Sequence, residues 1–120
     1  MVRRLLAIGP LFLAGALALA CASPTLPLPP PAIPSVASGS DADHVKLSAQ
    51  CGGAEANAII VIVNSNTSVP GDLSVTGSRA DGCGAWDANV YAHAGDYLDV
   101  TQEFGTTRSS PVVVEVPTTR

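Results

Sequence analysis

The stretch AWDANVYAHAGDYLDVTQEF, residues 85–104, decides the fold class of this chain. Its apolar side chains fall on alternate positions before and after the turn sequence Ala94–Asp96. A period of two is typical of a β-strand with one buried side and one side facing solvent. Gly and Asp between the two runs supply turn chemistry. The stretch therefore predicts two consecutive strands, with Trp86 on the buried side of the first.

Further strand-like runs flank this pair and are separated by Gly, Asn, Asp and Pro. They are Val45–Ala49, Ala58–Val63, Leu73–Thr76 and Val112–Val116. The continuous apolar run 58–63 predicts a central strand buried on both faces. About six short strands with turn residues between them predict an all-β domain, a small antiparallel β-sandwich that spans residues 44–120.

The first twenty residues predict an export signal. Two arginines precede an apolar run that is interrupted by Gly and Pro and is short for a membrane span. Ala18–Cys21 resembles a bacterial lipobox, in which the cysteine becomes the lipid-modified first residue, although the usual order of Leu and the small residue is swapped. We expect removal of residues 1–20 and lipidation of Cys21. The alternative is a signal peptidase cut before Cys21 or after Ala22, which gives a soluble secreted protein.

Residues 21–43 predict a disordered, proline-rich tether between this anchor and the domain. Its prolines favour extended polyproline II, and its Ser-, Gly- and Asp-rich end favours a flexible chain. The alternative is a ligand for an aromatic groove that accepts PxxP segments. A spacer fits an exported protein better.

The charge of the chain excludes some partners. It has ten acidic and six basic residues, and two of the basic residues lie in the signal segment. Affinity for nucleic acid comes largely from Lys and Arg that neutralise phosphates, so we expect no nucleic-acid partner. The acidic balance favours solubility.

The cysteines predict one disulfide. If Cys21 is lipidated or removed, Cys51 and Cys83 remain, and an even number of cysteines in an exported domain indicates a bridge. The bridge should stabilise the fold by ~3–4 kcal/mol in the chain-entropy model, a large share of the stability of a small domain. Free thiols or metal ligands are the alternative. Two histidines without CxxC or HxxxH spacing argue against a metal site.

The sequence carries no motif for catalysis: GxSxG, SxxK and HExxH are all absent. We therefore expect no enzymatic activity and no cofactor. Aspartates could donate oxygens to Ca²⁺, but their spacing matches neither an EF-hand nor a Gly-rich nonapeptide repeat, and ordinary turns explain them. These residues are Asp81, Asp87, Asp96 and Asp99.

The solvent-facing sides of the two deciding strands offer a candidate binding face. It consists of Tyr91, Tyr97, Asp99 and Glu103. Tyrosine side chains are enriched at protein–protein interfaces, and a rigid sheet can present them to a partner. The alternative is an ordinary solvated sheet.

Residues 81–117 resemble the bacterial immunoglobulin-like (Ig-like) repeats of surface proteins and lipoproteins. The matching elements, in order, are Asp81-Gly82, Trp86, Gly95-Asp96, Ser110-Pro111 and Val112–Val116. That family usually lacks a disulfide here, so Cys51 and Cys83 depart from its pattern. The resemblance implies a structural or binding module rather than a catalyst.

These observations predict a non-catalytic lipoprotein of the cell envelope that displays a small Ig-like module on a tether. Its partners are the membrane, through Cys21, and an unknown protein or glycan. Ala22 after the cysteine favours the outer membrane or cell surface. The alternatives are a soluble secreted binding protein or inhibitor, and a small carbohydrate-binding module, for which Trp86 and the two tyrosines are the candidate contacts.

Overall fold

The computed structural model describes residues 27–118. The predictions of a signal segment at residues 1–20 and of lipidation at Cys21 lie outside the described residues. Within 27–118, no helix has the length and apolar character needed to cross a membrane.

The described chain forms strands joined by turns and one short 3₁₀ turn, Gly71–Leu73. The strands are β1 Ser35–Ser38, β2 His44–Ala49, β3 Ile59–Asn64, β4 Val75–Arg79, β5 Trp86–Tyr91, β6 Tyr97–Phe104, β7 Thr107–Arg108 and β8 Val112–Glu115. The six predicted runs are present, but the third is displaced: its first residue belongs to the 3₁₀ turn, and the strand continues to Arg79. Strands β1 and β7 were not expected.

The strands make two antiparallel sheets. One has the order β1-β2-β5, and the other has the order β4-β3-β6 with β7 and β8 paired to successive parts of β6. Their inner faces share one hydrophobic core. The fold is therefore a small all-β sandwich, as predicted, and it is compatible with an Ig-like arrangement.

The core follows the alternation of the deciding stretch. Trp86, Ala88 and Val90 of β5 are buried with Leu98 and Val100 of β6, while the residues between them are exposed or half-buried. Trp86 is 5% exposed, which confirms its predicted place in the core.

Strand β3 differs from the expectation of burial on both faces. Ile60 and Ile62 are fully buried, but Ile59 is 41% and Val63 36% exposed. The strand is central in its sheet, yet only the inner face of that sheet is covered by the other sheet. Its continuous apolar run therefore places apolar side chains on the solvent side as well.

The disulfide joins Cys51 and Cys83, as predicted. Cys51 follows β2 and Cys83 precedes β5, and these two strands pair as far as Ala49 and Trp86. Beyond that pair, the Gly52 N–H donates to the Cys83 carbonyl at 2.7 Å. The bridge therefore continues the β2–β5 pairing past the ends of the strands; we call this end of the sandwich the disulfide end.

The proline-rich segment is partly folded, which differs from the flexible tether expected for residues 21–43. Strand β1 pairs with β2, Pro31 and Pro34 are buried, and the Ala32 N–H donates to the Gly53 carbonyl at 2.9 Å. Proline lacks a donor but still packs, and the short sequence of β1 needs only the free edge of β2 to pair. The folded unit therefore begins before residue 44.

Candidate functional site

The structure separates the four residues of the expected binding face. Tyr91 lies on β5 in the three-stranded sheet, whereas Tyr97, Asp99 and Glu103 lie on β6 in the five-stranded sheet. All four side chains point away from the core. Since the two inner faces pack together, the two outer faces look in opposite directions. Tyr91 therefore does not share a face with the other three.

The outer face of the five-stranded sheet is unusually apolar. Its exposed apolar residues come from four strands and form what we call the apolar sheet face. They are Ile59, Val63, Val75, Tyr97 and Val113. Val75, Tyr97 and Val113 are each more than half exposed. Contiguous exposed apolar surface on a small soluble domain is characteristic of an interaction site.

Strand register makes this patch continuous. Val63 pairs directly with Val75 on one side and with Asp99 on the other, and Asp99 pairs with Val113. Directly opposed residues of neighbouring strands have Cβ atoms about 4.5–5.5 Å apart, close enough for their side chains to touch. The row therefore forms an apolar band across the sheet that contains a single carboxylate.

Charges are unevenly placed around the apolar sheet face. At the disulfide end, Arg79 pairs in register with Ile59, and Arg108 makes an ion pair with Glu103, with Nε and Oε1 2.6 Å apart. At the other end, Glu115 lies opposite Tyr97 in the register. Among residues 27–118, Arg79 and Glu115 take part in no ion pair. One corner of the face thus carries a free cation and the diagonal corner a free anion.

The outer face of the three-stranded sheet carries a different cluster around Tyr91. The rings of His44 and His93 meet the Tyr91 ring edge-on at centroid distances of 5.6 and 5.3 Å. His44 Nδ1 lies 2.7 Å from Asp41, and His93 Nε2 lies 2.9 Å from Asp43. The hydrogen bond with His44 lowers the pKa of Asp41. Both pairs fasten the β1–β2 turn to the sheet, which is a structural role.

Asp96 forms a buried polar centre at the end opposite the disulfide. It is 6% exposed, and its carboxylate accepts hydrogen bonds from the side chains of Asn64 and Asn66 and from the His93 N–H. Burial alone would raise the pKa of Asp96, but these donors outweigh it, and the pKa is lowered. Both carboxylate oxygens are therefore committed to N–H donors that join the β3–β4 and β5–β6 turns.

The aspartates considered for calcium do not converge. Asp81 organises the turn before β5, where its carboxylate accepts from the Cys83 and Ala85 N–H groups, each at 3.0 Å. Asp87 and Asp99 lie on the outer faces of different sheets. Across residues 27–118, no three His, Cys, Asp or Glu side chains are grouped so that they could hold a metal ion.

An open groove of about 600 Å³ lies where β4 approaches β5. Lys46 and Asp87 line it from the three-stranded sheet, and Arg79 lines it from β4. Trp86 also borders it, and its indole N–H is buried with no hydrogen-bond acceptor among the described residues. The groove is shallow, and both acidic and basic residues line it. It therefore favours no single class of ligand, whereas the apolar sheet face favours an apolar partner.

Gln102 is the residue that the sequence reasoning missed. It is 2% exposed and lies on the inner side of β6. Its side-chain oxygen accepts from the Glu55 N–H, and its side-chain nitrogen donates to the Pro29 carbonyl, both at 2.7 Å. The alternation in the sequence already indicated this, because Gln102 lies on the same side of β6 as Leu98 and Val100. An amide at an inward position indicates buried polar partners.

Comparison with known proteins identifies no relative: no family model, curated protein or solved structure matches this chain.

Proposed function

We propose that this protein is a non-catalytic module of the cell envelope that works by non-covalent contact through the apolar sheet face. The observation that carries the proposal is the band of exposed apolar side chains across one sheet, in which Asp99 lies between Val63 and Val113, with Val75 and Val113 each 56% exposed. Such a surface loses unfavourable water contacts when a partner covers it. The sheet that presents it is paired through its backbone across β4, β3, β6 and β8, so little conformational entropy is lost on binding.

The roles of the polar clusters support contact rather than catalysis. The two His–Asp pairs tie a turn to the three-stranded sheet, and the Asp96 carboxylate accepts three N–H hydrogen bonds, from Asn64, Asn66 and His93. A general acid or base needs a titratable group free to reach a substrate proton. The carboxylates of the apolar sheet face, Asp99 and Glu115, instead have apolar or aromatic neighbours in the register, Val63 and Val113 for Asp99 and Tyr97 for Glu115.

We also propose that the module belongs with the bacterial Ig-like surface domains and is anchored by lipid on Cys21. The proposal rests on the lipobox-like sequence before Cys21 and on the matching turn and strand order in residues 81–117. Because the proline-rich segment is partly folded, the distance between the lipid anchor and the domain is limited. Eight residue steps separate Cys21 from Pro29, and these span at most about 29 Å when fully extended.

The carbohydrate-binding alternative loses support from the positions of the aromatic residues. Trp86 is buried in the core, and Tyr91 and Tyr97 lie on opposite outer faces. A sugar-stacking platform needs exposed aromatic rings on one surface. The soluble secreted alternative differs only in the fate of Cys21.

Two measurements test the proposal. Intact mass of the mature protein from membrane and soluble fractions should give a membrane species that starts at Cys21 and carries a diacylglyceryl and an acyl group. A soluble species that starts at Ser23 would overturn the anchor and leave the secreted alternative. Photo-crosslinking residues introduced at Val75 and, as the control, at exposed Lys46 on the opposite sheet then test the face. Crosslinks from position 75 alone support it, and equal or absent crosslinking at both positions contradicts it.

A further inference from the structure

We propose that the partner of the apolar sheet face is a second copy of this chain, in a two-fold symmetric, face-to-face dimer. This inference rests on the proposed function, because it assigns an occupant to the same face. The placement of charge around the apolar band and one gap in its surface favour this dimer.

The face carries its unpaired cation, Arg79, on β4 at the disulfide end and its unpaired anion, Glu115, on β8 at the other end. β4 and β8 flank β3 and β6, so these two residues occupy diagonally opposite corners. The five apolar residues lie between them. A surface with opposite charges at opposite corners is complementary to itself.

A two-fold axis that lies in the interface, perpendicular to the Arg79–Glu115 diagonal, places each Arg79 against the Glu115 of the other copy. Two equivalent ion pairs then bracket the apolar bands. The strands of the two sheets cross at a large angle in this arrangement, which is one of the two established modes of sheet packing.

Gly77 lies on β4 between Val75 and Arg79, and a Cβ added there would meet nothing within 4 Å. It leaves a gap in the face beside Val61, its partner in the register. The same rotation brings the half-exposed ring of Tyr97 towards Gly77 of the second copy. The gap therefore accepts the largest side chain of the face.

The dimer is weak in solution. Asp99 lies within the band and must lose water when the face is covered, which opposes association. A sheet of this size also falls near the lower limit of stable interfaces, so we expect a dissociation constant in the micromolar range or weaker. Lipid anchoring raises the effective concentration of the copies on a membrane and favours the dimer there.

The experiment is sedimentation equilibrium of the full mature protein, purified from an exporting host, with density-matched detergent if it fractionates with membranes. Wild type is compared with Arg79→Glu, Glu115→Arg and the double variant. Each single variant should raise the dissociation constant about tenfold, because two symmetric attractions become repulsions. The double variant should return it to within about threefold of wild type. Lys46→Glu changes the net charge by the same magnitude, but on the opposite sheet. This variant should keep the dissociation constant within about threefold of the wild-type value.

Circular dichroism confirms that each variant is folded, which is expected because Arg79, Glu115 and Lys46 are all exposed. A wild-type protein that stays monomeric up to about millimolar concentration overturns the dimer. Failure of the double variant to recover overturns it as well. If position 75 still crosslinks to a different envelope protein in cells, the contact function stands while the dimer falls. If position 75 crosslinks to nothing, both fall.

Discussion

The side-chain nitrogen of Gln102 donates a hydrogen bond of 2.7 Å to the carbonyl oxygen of Pro29, 73 positions earlier in the chain. The oxygen of the same amide accepts from the Glu55 N–H at 2.7 Å. One buried amide thus joins the proline-rich segment, the β2–β3 loop and strand β6. The segment ahead of β1 is therefore part of the domain, and the chain left to act as a spacer is correspondingly shorter.

Replacement of Gln102 by Leu should release this junction. Leucine fills similar space but leaves the Glu55 N–H and the Pro29 carbonyl without a partner, at a total cost of about 2–4 kcal/mol in the free energy of unfolding. Urea denaturation measures the loss, and hydrogen exchange at the Ala32 amide, which bonds to Gly53, reports whether the segment detaches. Thr101→Val on the outer side of the same strand is the control. Unchanged protection at Ala32 would show that Gln102 does not hold the segment.

Removal of the disulfide should cost a large part of the total stability. The bridge spans 32 positions, and the chain-entropy model assigns it ~3–4 kcal/mol. We expect the free energy of unfolding, measured by urea denaturation, to be lower by that amount in the Cys51→Ala/Cys83→Ala double variant. Reductant should destabilise the wild type to the same extent and have no effect on the double variant. A difference below about 1 kcal/mol would mean that the backbone hydrogen bonds at the disulfide end suffice without the bridge.

The sequence was sufficient to predict the strands in which apolar core positions alternate with solvent-facing ones. β5 and β6 follow the alternation closely, since each inward position is either apolar or, at Gln102, a buried amide that makes two part-buried hydrogen bonds. It was insufficient for β1 because pairing there depends on the free edge of β2, which is a property of the assembled sheet. The prediction of one binding face that contains both Tyr91 and Tyr97 was wrong for a related reason. Period-two alternation shows which residues point outward, but it does not show that Tyr91 and Tyr97 belong to different sheets.

Acid should destabilise the fold through Asp96. Its folded-state pKa is lowered below the ordinary value of 3.8, so its ionised form stabilises the fold above that value. This contribution is lost as the pH falls through the folded-state pKa. Urea midpoints between pH 7 and pH 2 should decline below about pH 4 for the wild type.

The Asp96→Asn variant separates this carboxylate from the others. Its amide nitrogen faces groups that already donate, so we expect a loss of about 2–3 kcal/mol at pH 7. Between pH 4 and pH 2 the variant should lose less stability than the wild type. Asp87→Asn, on an exposed outer position of β5, should keep the wild-type dependence. Parallel pH curves for Asp96→Asn and wild type would remove Asp96 as the cause.

The turn before β5 should tolerate alanine at one glycine and reject it at another two positions away. Gly84 has a φ of +86°, and a Cβ there would lie 2.1 Å from the Ala54 carbonyl oxygen, which is backbone and cannot move aside cheaply. Gly84 is also bound into the disulfide end, because its carbonyl accepts from the Ala54 N–H at 3.0 Å. Both the strained conformation and the steric overlap oppose the substitution.

Gly84→Ala should therefore cost at least about 2–3 kcal/mol, which lowers Tm by roughly 10–20 °C in a domain of this size. Gly82→Ala is the matched control: a Cβ at Gly82 meets nothing within 4 Å, and its φ lies outside the left-handed region. That variant should change Tm by only a few degrees, in either direction. Thermal denaturation followed by circular dichroism under oxidising conditions makes the comparison. Equal losses in the two variants would mean that any alanine in this turn is harmful, and the close approach of Gly84 to Ala54 would then not be the cause.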